Sequence, residues 1–205
     1  MIEVNNKQLM DYGKKFIIMA NSNAITYKEF FPYIKNGQVW LGRTLFTGKM
    51  PFFKVKEDYN LQNDRYERRA DGLYKQVNSI CWFTNVSNDL GKINLPLYKD
   101  WNRYSNEYPK YDNYDAIEVG RIADFPIGYD GVAGVPITAL KYLNSDGYLH
   151  LDENGKDVQF EVLGATESEG KGFSNGLWDE TSGVAQALVN GQKVYKRIFI
   201  RKRTA

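Results

Sequence analysis

Two side chains on which much enzyme chemistry depends are almost missing here: the 205 residues hold one cysteine, Cys81, and one histidine, His150. A single cysteine excludes an internal disulfide and points to a reducing compartment. A single histidine leaves no hydrolytic triad to assemble, and His150, in the turn-like stretch GYLHLDENG, reads as a surface or packing residue. Thiolate and imidazole metal sites have too few ligands; spacing leaves a carboxylate-only site open, and nothing argues for one. Proline is sparse, with six in all and no two adjacent. No stretch approaches the roughly 20 apolar residues that span a bilayer. The opening MIEVNNKQLM lacks the basic start and apolar centre of a signal peptide. The expectation is a cytoplasmic protein with neither membrane nor metal as a partner.

Charge of one sign is also lacking. A net charge of +2 does not by itself mark a nucleic-acid binder, so the placement of charge must carry that argument. Hydrophobic content of 42% and charged content of 25% are ordinary for a globular chain. The length suits one good core, or a compact domain with a smaller one appended. What is abundant is aromatic: 15 Tyr, 11 Phe and 4 Trp. Such residues build cores, interfaces or platforms for stacked bases.

The run Lys14–Tyr33 (KKFIIMANSNAITYKEFFPY) is the most informative. Its apolar stretch Phe16–Ala20 predicts a strand covered on both faces, as in a parallel sheet. Asn21 and Asn23 then stand at its carboxyl end, where open α/β sheets place ligands. Before it, Ile2–Tyr12 forms a loose helical stripe that Gly13 is placed to end. After it, a helix is predicted from about Thr26 to Asn36. Thr26 and Glu29 have capping-box spacing, Pro32 would bend or disrupt the helix, and Gly37 closes it. Gln38–Phe46 and Lys75–Val86 read as strands. Between them, Thr47–Tyr74 carries Lys49, Lys54, Lys56, Arg65, Arg68 and Arg69. Asn88–Tyr114 is loop-like. The last third looks mostly β: Phe160–Leu163 is a short strand, and Ala187–Val189 and Lys193–Arg201 flank Asn190-Gly191, a strong hairpin signal. Glu167–Gly183 reads as a linker. Within it the glycines of 170–176 suggest a flexible surface loop, or one that orders on DNA, rather than a nucleotide loop.

Along Val194–Arg201, alternation puts Val194, Lys196, Ile198 and Ile200 on one face and Tyr195, Arg197, Phe199 and Arg201 on the other. Two readings stand: an edge strand guarded by charge, or a strand whose basic side chains meet phosphates. Trp82–Asn85 and Lys110–Asp115 add clusters of aromatic and amide groups, which can clamp a base or simply pack.

Several segments resemble, in order, the EcoRI-type adenine-specific DNA methyltransferases: YGKKFIIMANSNAITYKEFFPYIK, VWLG, CWFTN, EYPKYDNYDAIEV, YDGVAGVPIT, FEVLG and NGQKVYKRIFIRK. The resemblance spans about Tyr12 to Lys202. It implies an α/β fold: a partial Rossmann-like methyltransferase sheet, with late strands and a closing antiparallel hairpin of Gln38–Phe46 and Lys75–Val86, followed by a mostly β target-recognition region. Residues 1–90 would be the carboxyl-terminal part of the catalytic sheet, with a basic insertion at about 47–74, and 91–205 the recognition region. In that family, S-adenosylmethionine gives its methyl group to a flipped-out adenine held by an Asn/Asp-Pro-Pro-aromatic loop. That loop, which precedes the helix corresponding to Ile2–Tyr12, is absent, as is a cofactor glycine motif. The resemblance therefore implies a carboxyl-terminal portion that binds no S-adenosylmethionine and is inactive alone. It could be half of a split enzyme completed by a second polypeptide, or a non-enzymatic DNA-binding remnant. Asn21 and Asn23 would border the base or cofactor pocket. Arg43, Arg65, Arg68, Arg69, Trp82, Lys110, Tyr111, Asn113, Tyr114, Lys196, Arg197, Arg201 and Arg203 would contact double-stranded DNA.

Overall fold

A helical turn over 8–11 ends at Gly13 (φ 60°), as its position suggested, and delivers the chain into its first strand. The computed structural model describes residues 8–27, 30–42, 52–60, 65–76, 80–87, 94–166 and 187–203. In chain order the strands are β1 (Ile17–Asn21), β2 (Trp40–Leu41), β3 (Phe52–Val55), β4 (Tyr66–Arg69), β5 (Gly72–Gln76), β6 (Ile80–Thr84) and β7 (Leu95–Pro96). There follow β8 (Ile117–Glu118), β9 (Ala133–Pro136), β10 (Leu149–Glu153), β11 (Lys156–Ala165), β12 (Leu188–Val189), β13 (Gln192–Lys193) and β14 (Arg197–Lys202). Besides the helical turn over 8–11, two short α-helices are described, α1 (Phe31–Lys35) and α2 (Trp101–Tyr104).

The first sheet has the order β1-β6-β2, with β6 antiparallel to both neighbours. Trp40 faces Thr84 and Leu41 faces Phe83, so the expected pairing of the two later strands is present. The expectation for β1 is corrected. It is covered on one face only: Phe16 and Ala20 are buried, while Ile17 is 65% and Met19 47% exposed. An unbroken apolar run contains both faces of a strand and cannot say which of them is covered. Among the described residues β1 pairs with β6 alone, so it is an edge, and its neighbour is antiparallel rather than parallel.

The helix expected over 26–36 is also shorter. Ser22–Thr26 forms a 3-10 turn capped by Asn21, whose side chain accepts from the Asn23 N–H at 2.8 Å. The α-helix begins at Phe31, with Pro32 in its first turn. Pro32 therefore starts the helix instead of bending it, because its missing N–H has no partner to lose there. Glu29, the other half of the expected capping box, lies outside the described residues. Gly37 (φ 63°) closes α1 and presses on the turn before β10. A Cβ on Gly37 would sit 2.6 Å from the Gly147 Cα.

The apolar run Lys75–Val86, expected as one strand, serves two sheets. Its first residues end β5, the middle strand of a small antiparallel sheet β3-β5-β4, and its later ones form β6. The basic stretch 47–74 is thus the source of a three-stranded sheet that charge and aromatics had hidden.

The largest sheet has the order β7-β10-β11-β14-β9-β8 and is mixed: β7–β10 and β8–β9 are parallel, the other pairs antiparallel. β11 runs for ten residues, beyond the expected Phe160–Leu163, with a register shift between Val162 and Gly164. β14 lies between β11 and β9 and is not an edge strand, which overturns the edge-protection reading. Ile198, Phe199 and Ile200 are all fully buried. The Asn190-Gly191 hairpin is present, with both residues left-handed (φ 51° and 72°) as a type I′ turn requires. Its return strand is only Gln192–Lys193, because the chain then leaves for the large sheet. Asn154-Gly155 makes a second such turn between β10 and β11 (φ 57° and 82°). The linker Glu167–Gly183 and its glycine loop lie outside the described residues. One buried cluster joins Phe16, Phe31, Ile34 and Phe83 to Leu149, Phe160 and Ile200, so a common core crosses residue 90.

Candidate functional site

The turn after β1 is held rigidly from beneath. Ala24, Ile25 and Thr26 are buried, and the Thr26 hydroxyl donates to the Asn23 carbonyl at 3.1 Å. Above them Asn21 is exposed and Asn23 half-buried. Across 173 residues of sequence, the Lys196 ammonium donates to Asn23 Oδ1 and lies 5.9 Å from the ring centre of Tyr195, which is 72% exposed. The amide pair and the basic carboxyl-terminal segment, read separately from sequence, therefore meet at one place. No local signal could have shown this contact.

The other carboxyl-terminal cations are divided. The Arg197 guanidinium is paired with Glu118, Nη2 to Oε1 at 2.6 Å, with both side chains 11% exposed. Glu118 also accepts from the Tyr111 hydroxyl. Burial, and then this hydrogen bond, push the Tyr111 phenol well above its ordinary pKa. Arg201 pairs with Glu161 at 2.6 Å on the surface. Arg203 donates to Gln159 at 3.2 Å and stacks 4.6 Å from the Tyr148 ring.

Several residues of the Lys110–Asp115 cluster make internal contacts. Lys110 is exposed, but Tyr111 is buried and Tyr114 meets Phe199 edge-on at 4.9 Å. Asn113 Oδ1 accepts from the Leu188 N–H, and Asp112 accepts from the N–H groups of Asn190 and Gly191, fastening the β12–β13 hairpin. Trp82 is half-buried opposite Met19 in the register. Nearby, Asn85 accepts from the Phe16 N–H and donates to the Lys14 carbonyl, both at 2.9 Å. Cys81 is 1% exposed and its thiol is pushed up to about 12 by burial, which makes it an inert packing residue.

In the small sheet, Arg65, Arg68 and Arg69 are exposed. Arg68 pairs with Glu57 at 2.5 Å, and Arg69 pairs with Glu67 while stacking 4.1 Å over Tyr74. Phe53 and Tyr66 stand exposed on either side of Lys75 in the cross-strand register. Arg43 lies outside the described residues.

His150 was expected at the surface or in packing; it packs, fully buried. Its Nδ1 lies 2.8 Å from Asp157 and its Nε2 2.6 Å from Asp146. Sequence reading also missed Asp124, which joins Arg121 and Tyr98. Burial opposes its charge, but the hydrogen bonds from Arg121 and Tyr98 outweigh this and hold the carboxyl below its ordinary value.

Among the described residues no group of three or more His, Cys, Asp or Glu could hold a metal, and no helix is long and apolar enough to cross a membrane.

The family described as "Adenine-specific methyltransferase EcoRI" matches residues 5–203. The chain is 42% identical over 170 residues to the Type II methyltransferase M.EcoRI of Escherichia coli, covering 76% of this chain and 51% of that protein. It is 28% identical over 147 residues to M.MpnI of Mycoplasma pneumoniae, covering 70% and 46%. With M.MgeORF184P of Mycoplasma genitalium it shares 33% over 143 residues, covering 66% and 43%. No solved structure gives a significant match. The chain spans about half the length of these curated relatives. On the family match across nearly its whole length, the chain belongs to the EcoRI-type adenine-specific methyltransferase family.

Proposed function

We propose that this chain forms the DNA-contacting, carboxyl-terminal part of an S-adenosylmethionine-dependent adenine methyltransferase of restriction-modification type, and that it transfers no methyl group alone. Residues 1–90 are the remnant of the catalytic sheet and 91–205 the recognition part. The observation that carries the reading is the bare side of β1. A strand edge and an apolar face with Ile17 and Met19 in solvent are normally covered by more sheet. The relatives are about twice as long over the same match, and adjacent prolines for a catalytic loop are lacking here. A second polypeptide carrying that loop would dock on β1. Without it the reacting groups have no fixed geometry, a loss of several orders of magnitude in rate.

The test incubates the purified chain with labelled S-adenosylmethionine and adenine-containing duplex DNA. A matching polypeptide bearing the Asn/Asp-Pro-Pro-aromatic loop is then added. Label should enter DNA only in the mixture. Turnover by the chain alone would sink the reading. DNA binding with no sequence preference, and no response to the added half, would favour a non-enzymatic binding remnant.

A further inference from the structure

His150, the chain's one histidine, is wholly buried, yet both of its ring nitrogens face carboxylates. Nδ1 lies 2.9 and 2.8 Å from the two oxygens of Asp157, and Nε2 lies 2.6 Å from Asp146 Oδ2. A neutral imidazole has one N–H and one lone pair, whereas an ionised carboxylate only accepts. Nδ1, facing two acceptors at once, therefore carries the ring's N–H. The line from Nε2 to Asp146 needs a second proton, or two lone pairs would meet at 2.6 Å. Both carboxylates reach solvent, at 36% and 34% exposure, so that proton can come and go although the ring is covered.

This second proton holds a turn in place. Asp146 stands in the turn 144–148, where its other oxygen accepts from the Tyr148 N–H at 3.1 Å. The Asn144 N–H donates to the Tyr148 carbonyl at 2.9 Å. Gly147 rests on Gly37, just past α1, too closely for a Cβ on either. His150 thus ties the turn, and through it the end of α1, to Asp157 on β11. Residues opposed in register share a face of the sheet, so the face of His150 also carries Asp152, Gln159, Glu161 and Arg201, with Arg203 just past β14. Asp152 accepts from the Gly155 N–H, Glu161 pairs with Arg201, and Arg203 is held by Gln159 and Tyr148. β7 brings no ionisable group, Lys35 of α1 is exposed, and Lys141 lies over Tyr142. Asp146 and Asp157 are the ring's partners among the described residues.

We propose that Asp146, His150 and Asp157 form a proton-operated latch, which holds the 144–148 turn on the end of α1 while both ring nitrogens are protonated and releases it when the Nε2 proton is lost. The departing proton reaches solvent through Asp146, and the neutral ring goes on donating to Asp157. Rising pH opens the latch and falling pH closes it again. The inference is independent of the methyl-transfer reading.

Asp146→Asn is the discriminating variant. Its side-chain oxygen still accepts from Tyr148, while its N–H₂ can only donate; it suits a neutral Nε2 and opposes a protonated one. The full chain is followed by NMR from about pH 5 to about pH 9, the range in which histidines change charge. The ring-nitrogen resonances, unambiguous in a chain with one histidine, report the two protons. Hydrogen-exchange protection at Asn144, Gly147 and Tyr148 reports the turn. As the Nε2 proton is lost with rising pH, protection at these three amides should fall about tenfold. Gly155, whose N–H is held by Asp152 beyond the far end of β10, should change less than about twofold. In Asp146→Asn the direction should reverse, with the turn better protected at high pH. A turn equally protected at every pH overturns the latch, as does protection that falls equally at Gly155. An Asp146→Asn chain that folds and keeps the wild-type direction overturns it too. Should that variant fail to fold, the wild-type titration decides alone: protection must follow the Nε2 proton, and a turn that opens without its loss overturns the proposal.

Discussion

Arg197 and Glu118 are joined by a multidentate ion pair that reaches across β9 in the large sheet, bridging β14 and β8 across 79 positions of sequence. With both side chains 11% exposed, its loss leaves a carboxylate buried without its cation. Arg197→Ala should destabilise the chain by about 3–5 kcal/mol, since the cost is that of the stranded charge. Arg201→Ala breaks a pair that is 49% and 39% exposed, and its cost should stay below about 1 kcal/mol. Urea unfolding of the two variants checks the contrast. Equal losses would show that burial is not what distinguishes them.

Gly134, in β9, backs directly onto the Tyr111 ring: a Cβ placed there would fall on the phenol. Both residues are in the interior, so neither has room to withdraw. Gly134→Ala should destabilise by about 1–3 kcal/mol through overpacking. Gly120→Ala, with nothing within 4 Å of its Cβ, should change thermal unfolding little. A neutral Gly134→Ala would mean that the Tyr111 ring is not fixed as described.

The Cys81 thiol gives a signed pH prediction. Its folded-state pKa is raised from an ordinary 9.0 to about 12, so the folded chain keeps a proton that the unfolded chain releases. The associated stability is present below pH 9 and is lost progressively as pH climbs towards 12. Unfolding curves of Cys81→Ala should therefore lack part of the wild-type alkaline decline. The native thiol should also react with Ellman's reagent only as fast as the chain opens. Rapid native reaction at neutral pH would contradict the burial.

Ile17→Thr with Met19→Thr removes apolar surface that is 65% and 47% exposed, Met19 lying opposite Trp82 in the register. The stability change should be within about 0.5 kcal/mol, and light scattering should show less self-association. In the methyl-transfer mixture proposed above, the same substitutions should weaken complementation. Undiminished complementation would mean that the added half does not dock on β1.

What the sequence disclosed depended on how local the cause was. Asn190-Gly191 was legible because two adjacent residues must both be left-handed in a type I′ turn. Asn154-Gly155 obeys the same rule but is flanked by Asp152, Glu153, Lys156 and Asp157, which disguise the alternation of its strands. Asn21 and Asn23 were legible as a strand terminus. Their orientation was not, because Lys196 arrives from the far end of the chain. The residues of β14 looked like a guarded edge because Arg and Lys alternate with Ile. Periodicity gives the face of a strand but not its neighbours, and Glu118 lies too far away in sequence for any pattern to pair it with Arg197. Lys75–Val86 failed similarly, since an apolar run does not mark where the chain leaves one sheet for another.

The pairing of β1 with β6 also has a cost in time. The residues of β1 leave the ribosome about sixty residues ahead of Ile80–Thr84, the strand that first satisfies their backbone. At elongation rates of roughly 5–20 residues per second, that is an interval on the order of three to twelve seconds. Throughout it the FIIMA segment is synthesised but unpaired. Its safe passage during synthesis is therefore a matter of translation speed and chaperone occupancy, and synonymous codon changes between Asn21 and Ile80 should alter yield without altering a single residue.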